Sequence, residues 1–138
     1  MKNSWFIPGE VPSSKNSKQI LRTKTGRWFI GSSKPSLAYK TTRGILYVNM
    51  KNSFRKAVDS LGDNPYPLTV DFLFIRKTKR AFDYNNISQM VQDMMVVHGV
   101  IPDDSCNYLI PHFSGFEVNP KNPGVIIKIL KNGKKNDI

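Results

Sequence analysis

Cysteine is almost absent from this sequence, and histidine is scarce. The single Cys106 excludes an internal disulfide framework and a site built on paired cysteines, and we expect its thiol to be buried or inert. Only His98 and His112 occur, and we expect His98 to end a helix or to lie in the core. The chain also lacks a glycine-rich phosphate loop and a nucleophile elbow. These absences leave few ways to build a catalytic site.

Long apolar runs are missing as well. No segment approaches the roughly 18 to 20 consecutive apolar residues of a membrane span, and the first residues lack the apolar run of a secretory signal. We see no basic amphipathic helix and no lipidation signal. We therefore expect a cytoplasmic protein without a membrane partner. Its 138 residues predict one domain over 1–138, with a frayed tail over 131–138.

Positive charge is abundant, but it is unevenly distributed. The chain has 21 Lys and Arg against 10 Asp and Glu, a net charge of +11, which favours an anionic partner and nucleic acid first. A purely solubilising role is the alternative. No Lys or Arg occurs between Arg80 and Lys121. Four of the ten acidic residues lie within 82–104, the acidic window: Asp83, Asp93, Asp103 and Asp104.

Apolar patterning and turn signals predict an α+β fold in which two helices pack on a mixed β-sheet. The predicted strands cover 4–8, 18–23, 27–31, 68–75 and 124–130, the last two being buried strands. A turn over 24–26 joins two of them, and Gly26 supplies a positive φ. Further extended chain is predicted over 107–113 and 116–118.

The two predicted helices cover 36–61 and 86–97. Gly62 ends the first, whose predicted apolar positions are Leu37, Ile45, Val48, Phe54, Val58 and Leu61. Asn86 is the predicted N-cap of the second, and Gln89 follows at the spacing of a capping box. The second helix has an apolar face that predicts either core or a dimer surface, namely Ile87, Met90, Val91, Met94 and Val97.

Basic residues flank the acidic window and are the candidate contacts for a phosphate backbone, with ordinary solvated surface as the alternative. Four cations in five residues follow the strand 68–75. The candidate DNA-binding residues are Lys15, Lys18, Arg22, Arg76, Lys77, Lys79 and Arg80.

Grouped carboxylates repel one another unless something neutralises them, and a hard divalent cation does this well. Asp83 ends a strand and loop, and Asp104 follows a helix and a turn, so both could converge on one ion. Carboxylate-bound Mg²⁺ supplies a nucleophilic water, charge relief at phosphorus and support for the leaving oxygen in phosphodiester cleavage. A structural Ca²⁺ site or a helix-capping role are the alternatives.

The motifs in this region resemble those of the RusA family of Holliday-junction resolvases, many of them encoded by phages and prophages. The matching features are D-Y-N-N from Asp83 to Asn86, a helix carrying Asp93, then Gly99 and the pair Asp103-Asp104. An N-terminal G-x-V-P-S-S-K-N-S-K segment and the strand with its basic loop agree too. The resemblance implies a homodimeric α+β fold in a bacterial or phage-infected host. It also implies dependence on Mg²⁺, or on Mn²⁺, and paired symmetric nicks in four-way DNA junctions.

Two catalytic positions depart from the family pattern. Asp83 and Asp104 match two of its three catalytic aspartates, but the third is Asn85 here and the family's lysine is Gln89. Asn85 offers a neutral oxygen to the metal, and the loss of the lysine removes a cation that stabilises phosphate. Asp93 and Asp103 are the candidates to share the metal-binding role.

Three hypotheses follow from these residues. The first is a Mg²⁺-dependent endonuclease acting on four-way or branched DNA, with no small-molecule substrate. The second is a junction-binding protein of the same fold with impaired catalysis. The third is a basic nucleic-acid-binding module, for RNA among other substrates, whose acidic turn is only structural.

Overall fold

The computed structural model describes residues 2–13, 18–22, 24–32 and 34–130, so the predicted tail over 131–138 and Lys15 lie outside the described residues. The chain has an α+β fold with a mixed four-stranded sheet and two helices, as predicted. The elements in chain order are β1 (Ser4–Pro8), β2 (Lys18–Arg22), β3 (Trp28–Ser32), α1 (Lys34–Asp59), β4 (Leu68–Arg76), α2 (Tyr84–Val97), β5 (Leu109–Val118) and β6 (Gly124–Leu130).

The main sheet has the strand order β1-β6-β4-β5. Strand β6 runs antiparallel to both of its neighbours, whereas β4 and β5 are parallel. Parallel neighbours need a crossover connection, and the segment containing α2 provides it. The acidic window lies on this crossover, so the sheet fixes both of its ends.

Strand β5 is one element, although the sequence predicted two extended segments. Its register with β4 shifts between Phe72 and Leu73, which pair with Phe113 and Gly115. Ser114 is therefore an extra residue in the ladder, a bulge that bends the strand without ending it. The separate hairpin of β2 and β3 has Gly26 at φ +89° in its turn, as predicted.

The buried face of α1 matches the predicted apolar pattern only in part, since Phe54 and Val58 are buried as predicted. Leu37, Ile45 and Val48 are exposed, whereas Tyr39 and Tyr47 are buried. The two tyrosine hydroxyls lie 2.7 Å apart and form a hydrogen bond, which satisfies both polar ends inside the core. The predicted face contained only Leu, Ile, Val and Phe residues, but a tyrosine whose hydroxyl has a hydrogen-bond partner can be buried as well.

Gly44 explains how α1 and the end of α2 approach each other. A Cβ at this position would lie 3.0 Å from Nε2 of His98, closer than ordinary packing permits. A glycine inside a helix is destabilising by roughly 0.5–1 kcal/mol relative to alanine, and here it makes room for an imidazole. His98 is the C-cap residue of α2, as predicted, and its ring stacks on Tyr47.

The core lies between the helices and one face of the sheet. Alternate residues of β4, including Phe72 and Phe74, are fully buried there. Trp5 of β1 packs on Phe54 of α1 with ring centroids 5.0 Å apart, and its indole nitrogen donates to Ser53 Oγ at 2.8 Å. Neither helix of the described chain has the length and apolar character needed to cross a membrane.

Candidate metal centre and nucleic-acid surface

Asp83 is the N-cap of α2, and the predicted N-cap, Asn86, is wrong. The backbone of Asp83 is extended, at φ −106° and ψ 120°, and Asp83 Oδ1 accepts a hydrogen bond from the Asn85 amide at 2.9 Å. The helix therefore begins at Tyr84, two residues before the predicted start. A carboxylate at this end also interacts favourably with the helix dipole, so Asp83 takes the capping position and Asn86 falls inside the first turn.

Gln89 contacts two carboxylates, Asp93 and Asp104, whereas the predicted pair was Asp83 and Asp104. Its Nε2 donates to Asp93 Oδ1 at 2.7 Å and to Asp104 Oδ2 at 3.2 Å. The first contact spans one helical turn, and the second links α2 to the turn that follows it. The capping box predicted for Gln89 is not formed, because the N-cap is Asp83, six residues earlier, and not Asn86.

The turn after α2 brings Asp104 back toward the helix. Gly99 has φ +75°, and the amides of Val100 and Ile101 both donate to the Met95 carbonyl. Val100 and Ile101 are buried in the core. These anchors fix the direction of the chain before Asp104, so the approach to Gln89 follows from backbone geometry and packing.

Asp93 and Asp104 offer carboxylate oxygens of the kind that divalent cations bind. Both carboxylates reach the same amide group, and rotation of that amide by 180° would present Oε1 of Gln89 instead of Nε2. Mg²⁺ in proteins is often held by one or two carboxylates together with waters. Over the described ranges, the structure forms no group of three or more His, Cys, Asp or Glu side chains suited to a metal.

The other predicted ligands do not join this pair in a group of three carboxylates among the described residues. Asp83 is exposed, with one carboxylate oxygen engaged in capping, and Asn85 is exposed in the first turn of α2. Asp103 is exposed next to Asp104. Cys106, predicted to be buried or inert, is exposed.

Arg76, the last residue of β4 and the first cation of the basic segment 76–80, contacts other parts of the chain. Arg76 Nη1 donates to the Val11 carbonyl at 2.7 Å, its Nε lies 3.8 Å from Glu10 Oε2, and its guanidinium lies 4.9 Å from the centre of the Phe82 ring. Its side chain is only 16% exposed. Arg76 therefore ties the loop to the segment after β1, a contact that the sequence did not predict.

The remaining cations of the loop are available at the surface. Lys77, Lys79 and Arg80 are all exposed, and they directly precede the segment that leads to Asp83. Lys18 and Arg22 lie in β2, at the two ends of that strand. Three of the predicted phosphate contacts are therefore exposed in the segment that leads to Asp83.

A cavity of about 520 Å³ opens between α1 and α2 beside the acidic pair. Its walls come from both helices and from the turn after α2: Lys40, Thr41, Asp93, Met94, Val96, Val97, His98 and Asp104. The sequence did not predict a cavity here, because Met94 was assigned to an apolar face that forms either core or a dimer surface. The position of Gly44 on α1 was the available signal of close helix approach.

Comparison with protein-family models and with curated proteins finds no match for this chain.

Proposed function

We propose that this protein is a Mg²⁺-dependent, structure-specific DNA endonuclease of the Holliday-junction resolvase type. The observation that supports it best is the meeting of Asp93 and Asp104 at Gln89 in a chain of net charge +11. Carboxylates from two segments meet in a chain that also exposes a basic loop, and metal-assisted phosphodiester cleavage uses both carboxylate ligands and phosphate-binding cations. The resemblance of the motifs to the RusA family supports the same substrate.

Each residue of the site has a defined part in this proposal. Asp104 and Asp93 supply charged ligands, and Gln89 rotates its amide to add a neutral oxygen. Asp83 and Asn85, at the N-cap and in the first turn of the same helix, would offer further oxygen ligands from its N-terminal end. The bound Mg²⁺ supplies an activated water and neutralises charge on the phosphate.

DNA affinity comes from the surface cations in this proposal. Lys77, Lys79 and Arg80 contact phosphates next to the site, and Lys15, Lys18 and Arg22 extend the contact along the N-terminal segment. Phosphate contacts position a protein on DNA without reading sequence. Branch recognition then depends on the shape of the junction.

We also propose that the active form is a homodimer, because two symmetric nicks need two sites related by a two-fold axis. The predicted apolar stripe is not the surface that such a dimer uses, since Met90 and Met94 are buried within one chain. Val97 is 75% exposed, and β1 is an edge strand of the sheet, so both are available for pairing. Light scattering tests this directly: we expect twice the chain mass of 15.7 kDa, and a mass near one chain at micromolar concentration contradicts it.

A second candidate function is junction binding without cleavage. It is favoured by the Gln89 amide, whose N–H group donates to both carboxylates and so occupies the position of a cation between them. Asn85 adds no charge to the site. Both features weaken metal binding relative to a site with three carboxylates.

A labelled mobile four-way junction distinguishes the two candidates. We expect paired nicks with Mg²⁺ and binding alone with EDTA, and Asp104→Asn should remove cleavage while it preserves binding. Asp63→Asn is the matched control, because Asp63 is exposed in the loop between α1 and β4 and touches neither the site nor the basic loop. Tight junction binding with no nicks in Mg²⁺ or Mn²⁺ establishes the second candidate. Equal affinity for duplex RNA contradicts both.

A further inference from the structure

The cavity between α1 and α2 has an apolar interior. Met94 is buried at 3% exposure, and Val97 at the rim is 75% exposed. The His98 imidazole forms part of the wall and is held between Gly44 and the Tyr47 ring, from which its centroid is 6.4 Å away. The cavity volume of about 520 Å³ is within the range of small-molecule sites, about 300–1,000 Å³. The cavity can therefore accept a flat, apolar group of moderate size.

The two sides of the cavity rim carry different polar groups. Lys40 of α1 offers only donors, whereas Asp93 and Asp104 offer acceptors. Gln89 engages one oxygen of each carboxylate, so the second oxygen of each can accept from a ligand. A matching ligand has apolar faces, an N–H donor on one edge and an acceptor on another. Nucleobases have this combination.

The position of the cavity favours a base that belongs to DNA. Asp93 and Asp104 are shared between the cavity wall and the candidate metal centre. A phosphate held at that centre places a nucleotide of the same strand beside the opening of the cavity. Enzymes that act on DNA commonly take a base out of the stack into a pocket, and an already unpaired base needs the least energy to do so.

We propose that this cavity receives one unpaired nucleobase from the branch point of the DNA, with a preference for bases that carry an exocyclic amine. This inference rests on the proposed function for the source of the base, but the contacts belong to the cavity itself. The amine donates to the free oxygens of Asp93 and Asp104, and an edge acceptor takes a hydrogen bond from Lys40. The faces of the base lie against His98 and Val97.

Nucleoside binding tests the cavity without DNA and without metal. In EDTA, we expect deoxyadenosine at millimolar concentration to shift the NMR signals of the Val97 methyls and the His98 ring. Deoxyinosine, which has a carbonyl in place of the amine, should bind at least threefold more weakly. Shifts that omit Val97 and His98, or the reverse order of the two nucleosides, overturn the inference.

Two neighbouring threonines of α1 provide a matched pair of variants. Thr41 and Thr42 are both exposed, and both donate through their hydroxyls to the Ala38 carbonyl, but only Thr41 lines the cavity. Thr41→Phe should fill the cavity and weaken nucleoside binding at least tenfold. Thr42→Phe should leave it within twofold of the original value. Equal binding by the two variants contradicts the inference.

A four-way junction with 2-aminopurine at the branch point tests the DNA-bound form. We expect binding to raise its fluorescence severalfold because the base leaves the stack, and Thr41→Phe to remove most of that rise while junction affinity stays within about threefold. A rise that Thr41→Phe leaves intact overturns the inference. If nucleosides shift the NMR signals of the wild-type protein but the protein does not bind junctions, only the proposed function is contradicted. Junction binding without nucleoside shifts contradicts the base-binding cavity alone.

Discussion

The Nε2 atom of Gln89 lies 3.2 Å from Oδ2 of Asp104, although 15 residues separate them in the chain. The same nitrogen lies 2.7 Å from Oδ1 of Asp93. A neutral amide thus links two carboxylates from different segments and keeps them together without a cation. The charge at position 89 should therefore control both the stability of this contact and its response to metal.

Gln89→Glu tests that control, because it places a third carboxylate between two others. Without divalent cations, like-charge repulsion at this exposed site should lower the free energy of unfolding by about 1 kcal/mol. This corresponds to a fall in Tm of about 3–5 °C for a domain of this size. Millimolar Mg²⁺ should restore the loss, because a ligand that binds only the folded state stabilises it. Thermal unfolding in EDTA and in Mg²⁺ measures both effects.

Gln89→Leu is the matched control, since it removes the donor and adds no charge. We expect it to lose stability in EDTA as well, but to gain no more from Mg²⁺ than the original chain does. Identical Mg²⁺ responses in Gln89→Glu and Gln89→Leu contradict a cation site at this contact.

Junction affinity should depend strongly on salt. Each neutralised phosphate contributes a slope of about −0.9 to log affinity against log salt concentration. Replacing Lys77, Lys79 and Arg80 together with alanine should flatten that slope by about two to three and weaken junction binding. Fluorescence anisotropy across salt concentrations measures this change.

Three exposed lysines on other elements serve as a control for total charge: Lys2, Lys56 and Lys128. Their triple alanine variant has the same net charge as the loop variant, but its slope should change less. Equal slopes in the two variants indicate a diffuse charge effect. Equal affinity for junction and linear duplex at every salt concentration removes the branch-specific part of the proposal.

The order of elements was predictable from the sequence, because most of it follows from short-range patterns. Leu68 to Ile75 is an apolar run that only a buried strand explains, and the observed β4 is one residue longer. Gly26 and Gly62 have positive φ at the predicted turn and just beyond α1. These features need no knowledge of distant contacts.

Contacts between distant segments were not predictable in the same way. Asp71 in the middle of β4 is 8% exposed, and it accepts from His112 Nδ1 at 2.6 Å and from Ser114 Oγ at 2.8 Å across the β4–β5 pair. Its position in an apolar run gave no sign of partners about 40 residues away. The predicted convergence was between Asp83 and Asp104, and the contact of Asp104 with Gln89 depended on side-chain reach that spacing does not show.

The paired tyrosines of α1 should make stability fall at alkaline pH. Burial raises the pKa of Tyr39 from 10.0 to about 12, and burial together with the neighbouring Tyr39 raises the pKa of Tyr47 well above its usual value. Unfolded tyrosine loses its proton first, so this stability is fully present below pH 10 and is lost as the pH rises toward 12. Each pH unit in that window removes up to about 1.4 kcal/mol per group.

Urea unfolding at pH 8, 10 and 11 measures this dependence. Tyr39→Phe should reduce it, and should also lower the free energy of unfolding at pH 8 by about 1–2 kcal/mol, because it leaves the buried Tyr47 hydroxyl without its partner. Tyr84→Phe is the control, since the Tyr84 ring is only half-buried. A pH dependence that Tyr39→Phe leaves unchanged contradicts the assignment.

Asn85→Asp is the most direct test of the cleavage proposal. The change replaces a neutral amide in the first turn of α2 with a negative ligand, so Mg²⁺ should bind more tightly. Cleavage should be at least about tenfold faster, which is equivalent to lowering the activation barrier by about 1.4 kcal/mol. Asn86→Asp is the matched control, because it adds the same charge one residue further along the helix, and it should not give this gain.

Asp83→Asn or Asp104→Asn should abolish cleavage in the junction assay and leave binding nearly intact, since surface phosphate contacts supply most of the affinity. If Asn85→Asp has no effect while Asp93→Asn abolishes cleavage, the metal site is centred on Gln89 and Asp93, and the role given to the first turn is wrong.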